Sequence, residues 1–130
     1  MTEITKPRPK YLNLFEIKLP LAGYASIFHR VSGAGLFLML PLLIWLFQLS
    51  LASSESFETM KAVVGNPLVK LILLGLLWAF LHHFCMGIRI LLIDMQIGVE
   101  KEQAVASAKA VLGVSLTLTV ILGLKLLGVY

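Results

Sequence analysis

The sequence has 130 residues, of which 58% are apolar and 14% charged, against about 25% charged in an ordinary soluble domain. A chain of this length makes one domain at most, and a soluble core of its size would not bury so many apolar side chains. The net charge of +4 comes without arginine–lysine clusters interleaved with aromatics, which speaks against nucleic acid and for orientation in a lipid bilayer.

Residues 1–22 read as an interfacial arm. Pro7, Pro9 and Pro20 disfavour a continuous helix, and Leu12, Leu14, Phe15, Ile17 and Leu19 are interspersed with Asn13, Glu16 and Lys18. No cleavable signal is visible, because the first apolar run starts late and no small-residue cleavage site ends it. A bacterial inner membrane is the simplest expected location.

The first span is expected over about residues 23–51. Its uncharged part, Val31–Leu51, covers about 31 Å and matches a hydrocarbon thickness of about 30 Å. Pro41 is a candidate kink. Residues 52–66 carry Ser53, Ser54, Glu55, Ser56 and Glu58, then Gly65-Asn66-Pro67, and read as a loop. The second span runs over about 68–94, with Lys70 snorkelling at its start. A second polar connection, Met95–Lys109, is able to continue as helix, and the third span covers about 108–129, interrupted by Lys125.

The fold class is therefore an all-α membrane protein with three transmembrane helices and one domain over residues 1–130. Three spans put Lys6, Arg8, Lys10, Lys18, Arg30, Arg89, Lys101 and Lys109 on one side and only Lys61, Lys70 and Lys125 on the other. The positive-inside rule then places the N-terminus in the cytoplasm. The absence of an internal repeat and the scarcity of intramembrane charge argue against a transporter.

Ionisable residues inside a span are expensive and read as site candidates. In the second span His82 and His83 lie deep in the apolar run, and Arg89 and Asp94 close it. Gly75, Ala79, His83 and Gly87 recur at four-residue spacing and form one stripe. Small residues on such a stripe admit a neighbouring helix or a planar macrocycle, and spacing alone leaves both open. Adjacent histidines point about 100° apart and cannot both ligate one ion. A structural zinc would want about four ligands, whereas haem iron needs only one or two. With the single cysteine, Cys85, also excluding a disulfide or a cysteine cluster, His83 is the better ligand candidate, and His82 is expected to pack or hydrogen-bond. As a lone histidine, His83 also fits a satisfied polar core residue.

At the threshold of the first span Ser26 and Arg30 share a face, with His29 one position round. This set serves as interfacial anchoring with a capping serine, or as a hydrogen-bonding site for a quinone head group. His29 is expected to be about 15 Å shallower than His83, too shallow to oppose it across a flat haem.

At these motifs the chain resembles the cytochrome b556 membrane-anchor subunits of bacterial succinate dehydrogenase. Ser26-Ile27-Phe28-His29-Arg30-Val31-Ser32-Gly33 is similar to the family's first signature, and His83-x-x-x-Gly87-Ile88-Arg89 followed by Asp94 to its second. Arg8-Pro9 and Leu12-Asn13-Leu14 resemble the family's N-terminal arm. The resemblance implies a non-autonomous subunit of succinate:quinone oxidoreductase. It makes His83 the axial ligand of a haem b, with the second ligand from another anchor subunit. It places Ser26 and Arg30 at the ubiquinone site, and His29 and Arg30 near the haem propionates. It also implies a flavoprotein and an iron–sulfur protein as cytoplasmic partners. Ile90 stands where many family members carry a second histidine, so a role for that histidine does not transfer. The competing readings are a haem-free structural anchor and the anchor of a menaquinol-fumarate reductase.

Overall fold

The computed structural model describes residue 13 and residues 16–129. Most of the expected interfacial arm therefore lies outside the described residues. Within them the chain is four helices: α1 Leu21–Ala52, α2 Ser54–Gly65, α3 Pro67–Asp94 and α4 Lys101–Leu127. No strand occurs among the described residues. Three of the helices, α1, α3 and α4, are long and apolar enough to cross a membrane, which matches the expected fold class.

Helix α1 is longer than a bilayer requires. Its 32 residues correspond to about 48 Å against about 30 Å of hydrocarbon. It starts directly after Pro20, whose extended backbone (φ −69°, ψ 161°) precedes the first helical residue. It continues through Pro41 to Ala52 as one unbroken helix.

The stretch read as a loop is instead helix α2. Its signal is a capping box: the Ser56 amide donates to Ser53 Oγ at 3.1 Å, and the Ser53 amide donates to Ser56 Oγ at 2.9 Å. Glu55 in the first turn complements the helix dipole. No residue of α2 is buried, as suits a polar helix outside the bilayer. Asn66 then ends α2 and caps α3, its Oδ1 accepting from the Leu68 amide at 2.9 Å, with Pro67 at the first helical position.

Between α3 and α4 the connection is shorter than expected. Gln96 and Gly98 take positive φ (63° and 76°), which turns the chain within residues 95–100, and α4 begins at Lys101. Its first turns are rich in alanine, and Ala108 is fully buried. There α1, α3 and α4 meet in a small core of Ala25, Met86, Ala108 and Val111, with Ala22, Cys85 and Ile90 packed against it. Farther along α4, Gly123 admits Leu74: a Cβ at Gly123 would meet the Leu74 side chain at 2.6 Å.

One charged residue takes part in that junction. Arg89 is 9% exposed; its Nε donates to Ser107 Oγ at 2.9 Å and its Nη2 to the Ala104 carbonyl at 3.1 Å. Among the described residues no carboxylate lies within ion-pair distance of it. A guanidinium in a span is commonly satisfied in this way by carbonyls and hydroxyls of a neighbouring helix. Arg89→Ala is expected to weaken the α3–α4 junction by about 1–3 kcal/mol, seen as a lower melting temperature of the purified complex. An unchanged melting temperature would contradict the clasp.

Candidate functional site

The site is built where α3 crosses the first turns of α1. His83 does not stand alone there. Its Nδ1 lies 3.0 Å from the His29 carbonyl oxygen and 3.3 Å from Ser32 Oγ. Ser32 Oγ itself donates to the His29 carbonyl at 2.9 Å. A carbonyl oxygen only accepts, so the proton of the imidazole sits on Nδ1. In the neutral ring Nε2 then carries the lone pair, and no hydrogen bond among the described residues engages it.

Gly33 gives the ring its room. A Cβ on Gly33 would lie 2.8 Å from His83 Cε1 and 3.2 Å from Nδ1, closer than side chains pack. The first signature thus contributes three things to His83: a carbonyl from His29, a hydroxyl from Ser32 and an absent side chain at Gly33. Ser32 and Gly33 had been assigned no role from the sequence, although both stand in the motif.

The expected difference in depth between His29 and His83 is corrected by the structure. Their rings stack at 4.1 Å between centroids with an interplanar angle of 12°. Helix α1 starts at Leu21, so His29 lies about two turns inside it rather than at its threshold. Imidazole lone pairs lie in the ring plane, so two stacked rings do not direct nitrogens at one ion between them. Among the described residues no cluster of three or more histidine, cysteine or acidic side chains forms a metal site either.

His82 turns the other way and is fully buried. Its Nε2–H donates to the Ala25 carbonyl at 3.2 Å. Its ring stacks on Trp78 (5.3 Å, 23°), and Phe28 meets it edge-on at 6.2 Å. The two adjacent histidines are separated as expected: one is enclosed between α1 and α3, the other is part-exposed with a free nitrogen.

The Gly75 and Ala79 end of the stripe on α3 opens into a groove. Between α1 and α3 a cavity of ≈ 430 Å³ is lined by Phe28, Ser32 and Gly35 on one side and by Gly75, Trp78 and Ala79 on the other. Nothing stands within 4 Å of where a Cβ would be at Gly35 or Gly75. Ser32, which touches His83, is in its wall, together with Phe28 and Trp78, which meet His82. A second groove of ≈ 580 Å³ lies between α3 and α4 beside Arg89, away from the histidines.

Ser26 is part-buried and Arg30 exposed. Among the described residues neither side chain makes a hydrogen bond or ion pair. They flank His29 on the same stretch of α1. Ile90, where a histidine was noted as missing, packs against the core of Ala25, Met86, Ala108 and Val111.

Residues 4–122 match the model of the succinate dehydrogenase/fumarate reductase transmembrane subunits. The chain belongs to this family. The match contains both signatures, the three apolar helices up to Leu122, and the groove. The chain is 34% identical over 114 residues to the succinate dehydrogenase cytochrome b556 subunit of Paracoccus denitrificans, covering 88% of each chain. It is 35% identical over 117 residues to the subunit of the same name from Coxiella burnetii, covering 89% of this chain and 94% of that one. A Rickettsia felis subunit of that name is 28% identical over 120 residues, which cover 92% of this chain and 94% of the other. The resemblance seen in the two signatures therefore holds. The protein is a multi-pass membrane subunit of this family, and its bacterial relatives fit an inner-membrane location.

Proposed function

We propose that this chain is the haem b-binding membrane anchor of a succinate dehydrogenase. In this reading it docks the flavoprotein and iron–sulfur subunits and helps to form the ubiquinone-reduction site. The observation that carries the reading is the state of His83. A histidine that ligates a metal through one nitrogen commonly donates the other N–H to a carbonyl, which fixes tautomer and ring orientation. His83 has that arrangement through the His29 carbonyl, with Nε2 left as the ligand atom. The relatives' name, cytochrome b556, agrees with such a ligand.

The residues present fit a haem. His83 would hold the haem iron through Nε2 in this proposal, and its neighbour Ser32 stands in the wall of the groove cleared by Gly35 and Gly75. His29 and Arg30 are the candidates for the propionate side. A further protein ligand to the iron would come from a second anchor subunit, because His82 is enclosed and the His29 ring lies flat on His83. A bound haem b supplies an electron reservoir whose potential is tuned by its ligands and burial.

The rest of the chemistry falls to α1. Reducing a quinone by two electrons takes up two protons and develops negative charge on its oxygens. Arg30, permanently cationic, stabilises that charge, and the Ser26 hydroxyl hydrogen-bonds a quinone oxygen. Protons reach the site from water or partner subunits. The positive-inside count puts this end of α1 on the cytoplasmic side, where electrons from succinate arrive through the partners. The relatives' name favours succinate oxidation over the menaquinol-fumarate reductase reading, and the preformed His29–His83 contact favours a haem-bearing anchor over a haem-free one.

Two variants test the reading in the purified complex. His83→Ala is expected to remove or shift the low-spin haem spectrum; an unaltered spectrum would remove His83 from the site. Arg30→Ala is expected to abolish quinone reduction while succinate oxidation by an artificial acceptor continues. Quinone reduction at the unaltered rate would reject the role of Arg30.

A further inference from the structure

His82 and His83 grip two carbonyls that are one helical turn apart on α1. His83 Nδ1–H holds the His29 oxygen, and His82 Nε2–H holds the Ala25 oxygen. The carbonyl of Ala25 belongs to the peptide group that leads into Ser26, and the carbonyl of His29 to the one that leads into Arg30. Each of the two quinone-site residues proposed above thus follows directly on a peptide group pinned to α3. Because adjacent residues on α3 point about 100° apart, a pair of neighbouring histidines is able to reach both turns at once.

We propose that His82 is a positioning residue for quinone reduction, acting on Ser26 through the Ala25–Ser26 peptide group. The inference rests on the reading of Ser26 and Arg30 as the quinone face. His82 makes no contact with that face itself: it is fully buried, and its second nitrogen, Nδ1, has no hydrogen-bond partner. Its one polar contact among the described residues is the Ala25 carbonyl. The ring is held flat against Trp78 and edge-on to Phe28, which itself meets Trp78 edge-on at 5.9 Å. This aromatic cage sets the direction of Nε2–H, and Nε2–H sets the position of the first turns of α1.

A side chain that only fills space would serve equally well as phenylalanine. A positioning donor would not. Gln carries an amide nitrogen where His carries Nε2 and is able to restore the contact, whereas Phe keeps the ring and loses the donor.

The test measures quinone kinetics in the purified complex for His82→Phe and His82→Gln. The haem spectrum and succinate oxidation by an artificial acceptor are recorded for each variant, and Arg30→Ala is assayed in parallel. His82→Phe is expected to raise the KM for quinone about tenfold with kcat, haem spectrum and acceptor activity close to wild type, and His82→Gln is expected to restore the KM. A wild-type KM in His82→Phe, or an equal rise in both variants, would overturn the proposal. If His82→Phe does not assemble, His82→Asn replaces it: its amide stops short of Ala25, so a raised KM supports the proposal and a wild-type KM overturns it. If Arg30→Ala impairs quinone reduction and the His82 variants do not, only the role of His82 falls. If Arg30→Ala leaves quinone reduction intact, the quinone-face reading falls and takes this inference with it.

Discussion

A pair of imidazole-to-carbonyl contacts, between adjacent histidines of α3 and one turn of α1, is the interaction on which the rest of this site depends. Inside a bilayer there is little hydrophobic force to hold two apolar helices together, so packing and interhelical hydrogen bonds decide where they cross. Here the donors are His82 and His83, and the acceptors are backbone oxygens, which a point substitution on α1 does not remove. Ser32 and Gly33 adapt α1 to the imidazole: one shares the carbonyl, the other yields the space a side chain would fill. On the opposite flank, Arg89 ties α3 to α4 through Ser107 and Ala104. Helix α3 is thereby held from both sides by polar contacts, with the small core of Ala25, Met86, Ala108 and Val111 between them.

The division of labour between the two histidines follows from their surroundings. His82 spends Nε2 on structure and is sealed off. His83 spends Nδ1 on structure and keeps Nε2. Gly75 and Ala79 of the same helix, with Gly35 of α1, leave a groove clear between the two helices. Much of the remaining surface is apolar and exposed, as at Phe37, Leu38 and Phe80. In a membrane this surface faces lipid or other subunits, in keeping with a chain that supplies part of a larger assembly.

Some of this was legible in the residues and some was not. The three spans followed from long uncharged runs, and the stripe of Gly75, Ala79, His83 and Gly87 singled out His83. The two signatures pointed to the family in which the comparisons place the chain. Helix α2 was missed because Ser53, Ser54 and Ser56, with Gly65-Asn66-Pro67 beyond, carry loop signals; the spacing of Ser53 and Ser56 as a capping box was the clue. The depth of His29 was misjudged because Arg30, the last charge before the uncharged run, was taken as the threshold of the span, whereas the His29 ring lies level with His83 and stacks on it. The partner of His82 was not readable at all. It is a backbone oxygen on another helix, and no residue type marks it.

Everything proposed for this site turns on His83 Nε2, left without a hydrogen bond while Nδ1 meets the His29 carbonyl, as the ligand of a haem b. The most direct measurement is a reduced-minus-oxidised optical spectrum of the purified complex with its subunits identified. The bands of a low-spin b-type haem are expected in a complex containing this chain and a second anchor subunit. A fully assembled, quinone-reducing complex that is colourless in this spectrum would contradict it.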